Sequence, residues 1–238
     1  MAPALPKKAS TVILVRPSGD EKFDVLMTQR PQWMDFLGGH YVFPGGILEE
    51  EDCSLAMLQR CRGLTAVEAQ GLLGHALSPE LSLGHWIAAI RELYEEAGIL
   101  LGVNESGTPV DMEQDRLKQQ FEQSRRELVQ GKTNLHALLR AAAVYCDASR
   151  LTYFMHRITP EENPMRFDTR FYIACLPSNQ TALPQSEEVA ESVWVTPSEA
   201  LERSARGEMP IIRPTRIVLE CLADFGSWTN LTKAYPVK

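Results

Sequence analysis

The run Arg91-Glu92-Leu93-Tyr94-Glu95-Glu96-Ala97-Gly98-Ile99 carries three carboxylates and an arginine within nine residues. At about 100° per residue on a predicted helix, Glu92, Glu95 and Glu96 share one arc. Trp86, Ala89, Ile90, Leu93 and Ala97 occupy a separate arc that can bury. Like charges packed this closely repel and weaken an isolated helix. Hard divalent cations need several oxygen ligands and turn that repulsion into attraction. Taken alone, an E-x-x-E-E face is ordinarily solvated surface, so the elements that must position it decide its meaning.

Ahead of the helix, Tyr41-Val42-Phe43-Pro44-Gly45-Gly46 reads as a short strand entering a double-glycine turn, with Asp52 following Gly46 after five intervening residues. A glycine pair permits close backbone approach to a metal or phosphate. Gly46-x5-Asp52 and Arg91-Glu92-Leu93-x-Glu95-Glu96-x-Gly98-Ile99 together resemble the Nudix box, G-x5-E-x7-R-E-U-x-E-E-x-G-U with U aliphatic. The sequence departs from it twice. Asp52 stands where the box has Glu, and residues 53–90, 38 of them, replace the usual seven. Leu26-Met27-Thr28-Gln29-Arg30, Gly39 and Phe43-Pro44-Gly45-Gly46 follow the signature of Nudix CoA diphosphatases, with Pro31 in place of a small residue and Asp35 in place of a second arginine. Ile158-Thr159-Pro160 and Arg166-Phe167-Asp168-Thr169-Arg170-Phe171 resemble a block shared by the Nudix branch that includes a peroxisomal CoA diphosphatase with an interrupted box.

The resemblance implies an α/β (α+β) Nudix-type α/β/α sandwich with a mixed sheet and extra helical insertions. It implies Mg2+ (or Mn2+) held by Glu92, Glu95 and Glu96, with the Gly46 carbonyl as a further oxygen, and an Asp52–Arg91 pair and Gly98 in structural roles. One of the three glutamates could serve instead as base toward an attacking water. In some Nudix enzymes the base comes from a distant loop, and Glu188 in Glu187-Glu188-Val189-Ala190-Glu191 is the candidate here, against a bland reading as an exposed acidic turn. Arg30, Arg166 and Arg170 are the candidates for phosphate contact, since guanidinium offers planar multidentate donors. Trp33 and Phe36 could stack on an adenine, though aromatic side chains more often simply pack.

The implied reaction is cleavage of a diphosphate linkage in a CoA or acyl-CoA, giving 3′,5′-ADP and 4′-phosphopantetheine. ADP-ribose or another nucleoside diphosphate derivative is the alternative that Asp35 keeps open. A nucleotide-sensing module without catalysis is the alternative of another class, disfavoured because a sensor has no need of the glutamates.

Along the chain, residues 10–16 and 23–30 read as a hairpin around a turn at 17–21. Asp52 is expected to cap a helix through Arg60, Thr65-Ala66-Val67-Glu68 to form a capping box, and Ser78-Pro79 to open the acidic helix. Further helices are expected at 111–130, 134–143 and 215–225, a helix opening at Thr196-Pro197, and strands at 151–159, 169–175 and 193–195. The expected organisation is one domain, residues 1–238, with a helical insert at about 53–84 inside the box and a helical cap at about 111–143. The insert could be a dimerisation surface or a lid, and a homodimer is compatible with it.

With 24 basic against 31 acidic residues and a net charge of −7, no excess positive field draws nucleic acid. A small-molecule nucleotide or CoA is the expected partner. Five scattered cysteines without C-x-x-C pairs fit reduced thiols. No apolar run suits a signal peptide or membrane span, and Tyr235-Pro236-Val237-Lys238 is no peroxisomal tripeptide, so a cytoplasmic protein is expected. The five histidines lack zinc spacing, and no serine sits in G-x-S-x-G.

Overall fold

A computed structural model describes residues 4–111 and 115–236. The hairpin forms as β1 (Lys7–Ser18) and β2 (Lys22–Gln29), with β3 (Tyr41–Val42) added to β2 and β4 (Gly45–Ile47) to β1. A 3-10 turn at Glu51–Cys53 leads to α1 (Leu55–Gln59), β5 (Cys61–Arg62), α2 (Ala66–Leu73) and the long α3 (Pro79–Ala97). Next come β6 (Gly102–Asn104), α4 (Asp115–Val129), α5 (Leu135–Ala141), β7 (Val144–Asp147), β8 (Thr152–Ile158) and β9 (Phe167–Cys175). β10 (Glu191–Val195), α6 (Pro197–Ala205), α7 (Arg213–Ala223) and α8 (Trp228–Ala234) complete the chain as described.

The main sheet runs β10-β2-β1-β9-β8, with β1 and β9 parallel and the other neighbours antiparallel. It is mixed, as expected. Strand alternation sends Val12, Leu14 and Tyr172 to one face, where they pack with Trp86, Ile90 and Leu93 of α3 and with α4 and α5. Ile13, Val15, Phe171 and Ile173 go to the other face, against Val218, Leu219 and Leu222 of α7 and Leu231 of α8. Both faces of β1 are therefore apolar, which is why its central residues read as a continuous hydrophobic run.

Inside the insert the capping box forms: Glu68 N–H donates to Thr65 Oγ1 at 3.2 Å and Thr65 N–H to Glu68 Oε2 at 2.8 Å. Asp52, however, caps no helix. Ser54 caps the short α1, accepting from Met57 N–H at 3.2 Å, while the Asp52 carboxylate accepts from Glu49 N–H at 2.9 Å and turns inward. The difference arises because a buried arginine outcompetes a helix end for that carboxylate. The expected helix at 111–130 begins at Asp115; residues 112–114 lie outside the described residues. A second sheet, β5-β7-β6, and α8 were not anticipated. Strands of two to four residues are too short to show a period in sequence.

Candidate active site

Helix α3 is set by its own ends. Ser78 accepts from Leu81 N–H at 3.2 Å, Pro79 opens the first turn, and Gly98 closes the last in the left-handed conformation at φ 71°. Its final turns bring Arg91, Glu92, Glu95 and Glu96 beside the double-glycine bend, because β4 carrying Gly45 and Gly46 pairs with β1 directly beneath the helix. Contact is close. A Cβ on Gly46 would lie 2.4 Å from Glu92 Oε1, so any side chain there would have to displace that carboxylate. Gly45 N–H donates to Glu96 Oε2 at 3.3 Å.

Despite the interruption of the box, Asp52 reaches Arg91 in a buried bidentate pair: Nε to Oδ1 and Nη2 to Oδ2, each 3.0 Å. A second glycine makes this possible. Gly84 lies against Cys53, where a Cβ would come within 2.4 Å of Sγ, so the 3-10 turn that carries Asp52 can sit flush on α3. Arg91 also donates to the Ile47 carbonyl at 2.8 Å and Glu92 Oε1 at 2.8 Å, and reaches Glu95 at 3.4 Å. Thus one guanidinium ties the bend, the insert and the acidic face together.

Burial shapes the electrostatics. It pushes Glu92 and Glu95 up, Glu95 to about 7; Arg91 opposes both, while Asp52 and Glu188 raise Glu92 further and Glu92 and Glu49 raise Glu95. Glu96, fully enclosed, is raised well above the carboxylate range, first by burial and then by Glu92. Burial also works against the Arg91 charge, yet Glu92, Asp52 and Glu95 hold it above the ordinary arginine range. Among the described residues no three acidic, histidine or cysteine side chains already converge as a cage. Glu92 and Glu95 lean on Arg91, and Glu96 on Gly45. The donor set nonetheless suits a hard divalent cation: buried carboxylate oxygens that share too little positive charge, beside a backbone turn with no side chain in the way.

Glu188 lies in the same neighbourhood. It lines a hollow of about 270 Å³ with Glu49, Asp52, Arg91 and Glu95, and its charge acts on both Glu92 and Glu96. Arg125 of α4 steadies this loop, donating to the Glu95 carbonyl at 2.8 Å and to Glu187 at 3.3 Å. The polarity of α4 concealed that role in the sequence.

On the other side of the glycine bend a cleft of about 590 Å³ contains Arg30, whose charge reaches Glu96. Arg166 and Arg170 are not on its walls. Arg166 is tied to the carbonyls of Thr159 at 3.0 Å and Ala4 at 2.7 Å. Arg170 is buried on the α3 side, paired with Asp168 at 2.6 Å beside His156. Neighbours in a strand face opposite ways, so Phe167, Thr169 and Phe171 line the cleft while Arg166 and Arg170 do not. Lys7 and Arg213 stand in the cleft instead. Sequence reading missed both, for lack of any local motif; Arg213 alone had a signal, its place ahead of Pro214 at a helix start.

The chain matches the family model described as NUDT19 Nudix domain over residues 6–219. It is 29% identical over 250 residues to acyl-coenzyme A diphosphatase NUDT19 of Gallus gallus, covering 91% of this chain and 65% of that protein. To the Homo sapiens protein of the same name it is 26% identical over 249 residues, covering 92% and 65%. The chain therefore spans a little under two thirds of the length of these relatives. Among solved structures, a NUDIX hydrolase from Alicyclobacillus acidocaldarius superposes with a TM-score of 0.78 at 26% identity, covering 95% of each chain. Placed beside the split box rejoined through Asp52 and Arg91, these matches establish that the chain belongs to the NUDT19 Nudix domain family.

Proposed function

We propose that this chain hydrolyses the diphosphate linkage of CoA or an acyl-CoA, releasing 3′,5′-ADP and the corresponding 4′-phosphopantetheine, with Mg2+ or Mn2+ as cofactor. The observation that carries the reading is the set of three carboxylates on α3, Glu92 and Glu96 buried against Gly45-Gly46 and Glu95 half-buried on Arg91, with Arg30 across the bend. The names of the Gallus gallus and Homo sapiens relatives support the choice of substrate.

A diphosphate is negative at both phosphorus centres, so water meets repulsion as it attacks. A bound divalent ion would neutralise the non-bridging oxygens and ease deprotonation of that water. Glu92, Glu95, Glu96 and the Gly46 carbonyl would hold it. Arg30 contributes planar donors to the phosphate oxygens from the cleft side. Glu188, exposed opposite the helix face, takes the proton as the new P–O bond forms; the bridging P–O bond breaks and its electron pair leaves with the departing phosphate. The Asp52–Arg91 pair does no chemistry in this scheme. It holds the bend and the helix in one geometry.

We further read the chain as one domain, with the insert at about 53–84 returning Asp52 to the site and the cap at about 111–143 forming one wall of the acidic hollow. Leu128, Asn134 and Leu135 on that wall support this. The cytoplasm is the proposed compartment, on the strength of five cysteines that are all unpaired. No helix among the described residues is long and apolar enough to cross a membrane.

Purified protein with Mg2+ should release 3′,5′-ADP from CoA or an acyl-CoA, assayed in parallel with ADP-ribose and a nucleoside triphosphate. Turnover of ADP-ribose with CoA untouched would reject the substrate, and binding without turnover of any compound would reject the enzyme.

A further inference from the structure

Charge is distributed unevenly around the glycine bend. The 590 Å³ cleft is floored by a sheet face on which Lys7, Ala9 and Thr11 of β1 lie beside Phe167, Thr169 and Phe171 of β9. Its walls hold three cations, Lys7, Arg30 and Arg213, and no carboxylate, although the whole chain carries a net charge of −7. Lys7 and Arg213 are exposed, and among the described residues neither side chain has an ionic or hydrogen-bonding partner. The adjoining hollow over β8 shares Arg213 and adds Arg157 against one acid, Glu162. Unpaired cations gathered around one hollow attract an anion and offer it charge-assisted hydrogen bonds.

The same cleft has an aromatic rim. Phe36 packs on Phe167 with ring centroids 5.4 Å apart at 44°, and Phe36 remains 37% exposed beside Met165 at 42%. Such faces accept a nucleobase by stacking. An acyl-pantetheine arm would use the apolar surface but leave the cations without a counter-charge. A 3′-phosphorylated nucleoside uses both.

We infer that this cleft binds the adenosine half of the substrate, with Phe36 and Phe167 against the base, Lys7 and Arg213 on the ribose 3′-phosphate, and Arg30 toward the diphosphate. The inference rests on the proposed CoA reading and goes beyond it, for it makes the 3′-phosphate the feature by which substrates are told apart.

Binding of adenosine 3′,5′-bisphosphate and of AMP, with Mg2+ present, isolates that phosphate, since the two ligands differ in nothing else. The wild-type chain should prefer the bisphosphate by about 10- to 100-fold, the scale of one or two charge-assisted hydrogen bonds. In Lys7→Ala/Arg213→Gln the preference should shrink to within about threefold, with AMP affinity and melting temperature unchanged, because both side chains are exposed. Equal affinities in the wild type, or a preference that survives in the double variant, would overturn the inference. The ratio of kcat/KM for CoA over dephospho-CoA should follow the same pattern. Failure to hydrolyse either compound, with the binding preference intact, would remove the proposed reaction and leave this site standing.

Discussion

The two sides of the Gly45-Gly46 bend are electrostatic opposites. On the α3 side, Asp52, Glu92 and Glu95 close on buried Arg91, with Glu96 and Glu188 beside them. On the cleft side, Lys7, Arg30 and Arg213 stand with no carboxylate among them. The acidic side is largely buried, with Asp52, Glu92 and Glu95 hydrogen-bonded to Arg91; the basic side is open, with Lys7 and Arg213 unpaired among the described residues. Surplus negative charge in a buried place calls for a cation, and surplus positive charge in an open one calls for an anion. A phosphorylated substrate lying across the bend with a divalent ion would satisfy both.

That contrast breaks most sharply at Glu95. Glu95→Gln removes ligand charge with little change of volume and should lower turnover by about 10³-fold, the scale of losing a charge-stabilising group, while circular dichroism stays as in the wild type. Activity within a few-fold of wild type would move the chemistry off α3. Asp52→Ala acts on the brace rather than the reaction. It strips the bidentate partner from buried Arg91 and should cost about 3–5 kcal/mol in denaturant unfolding. A cost no larger than that of a surface pair would mean that the insert does not depend on this closure. Gly46→Ala pushes a methyl group into Glu92 and should cost about 1–3 kcal/mol and weaken metal dependence together. An unchanged melting temperature would show that the bend yields freely.

The smallest effect is on pH dependence. Burial raises the Glu95 carboxyl from the ordinary 4.5 to about 7, so the folded chain holds its proton more tightly than the unfolded chain. In metal-free buffer that stabilising grip is present at low pH and is lost as pH rises from about 4.5 through 7, where unfolded chains release the proton first. Melting temperature should therefore decline across that window relative to Glu95→Gln, and a divalent ion should reverse the decline. Parallel profiles for the two proteins would count against a burial effect on this carboxylate.

Much of the acidic side was legible beforehand because its information is local. Ser78-Pro79 and Gly98 bracket α3, helical spacing puts the glutamates on one arc and the apolar residues on another, and the Thr65 capping box announces α2. Asp52 was placed opposite Arg91 by the resemblance to the box rather than by local signals, and its separate reading as a helix cap gave way to Ser54. The cleft side was not legible in this way. Arg166 and Arg170 share strand β9 or its approach with the cleft-lining phenylalanines, yet alternation turns them to the other face, where backbone carbonyls and Asp168 engage them.

Sequence by itself determined the helix, the glycine bend, the hairpin and the family, since each depends on residues within a few turns or on a motif of fixed spacing. Tertiary structure alone decided which cations face the cleft beside the glycine bend. Lys7 and Arg213 meet there because β1 and β9 pair in parallel and α7 begins at the edge of that face, and no local propensity encodes a convergence between residues so far apart in the chain. Packing of both sheet faces sets it, and that is a property of the whole fold.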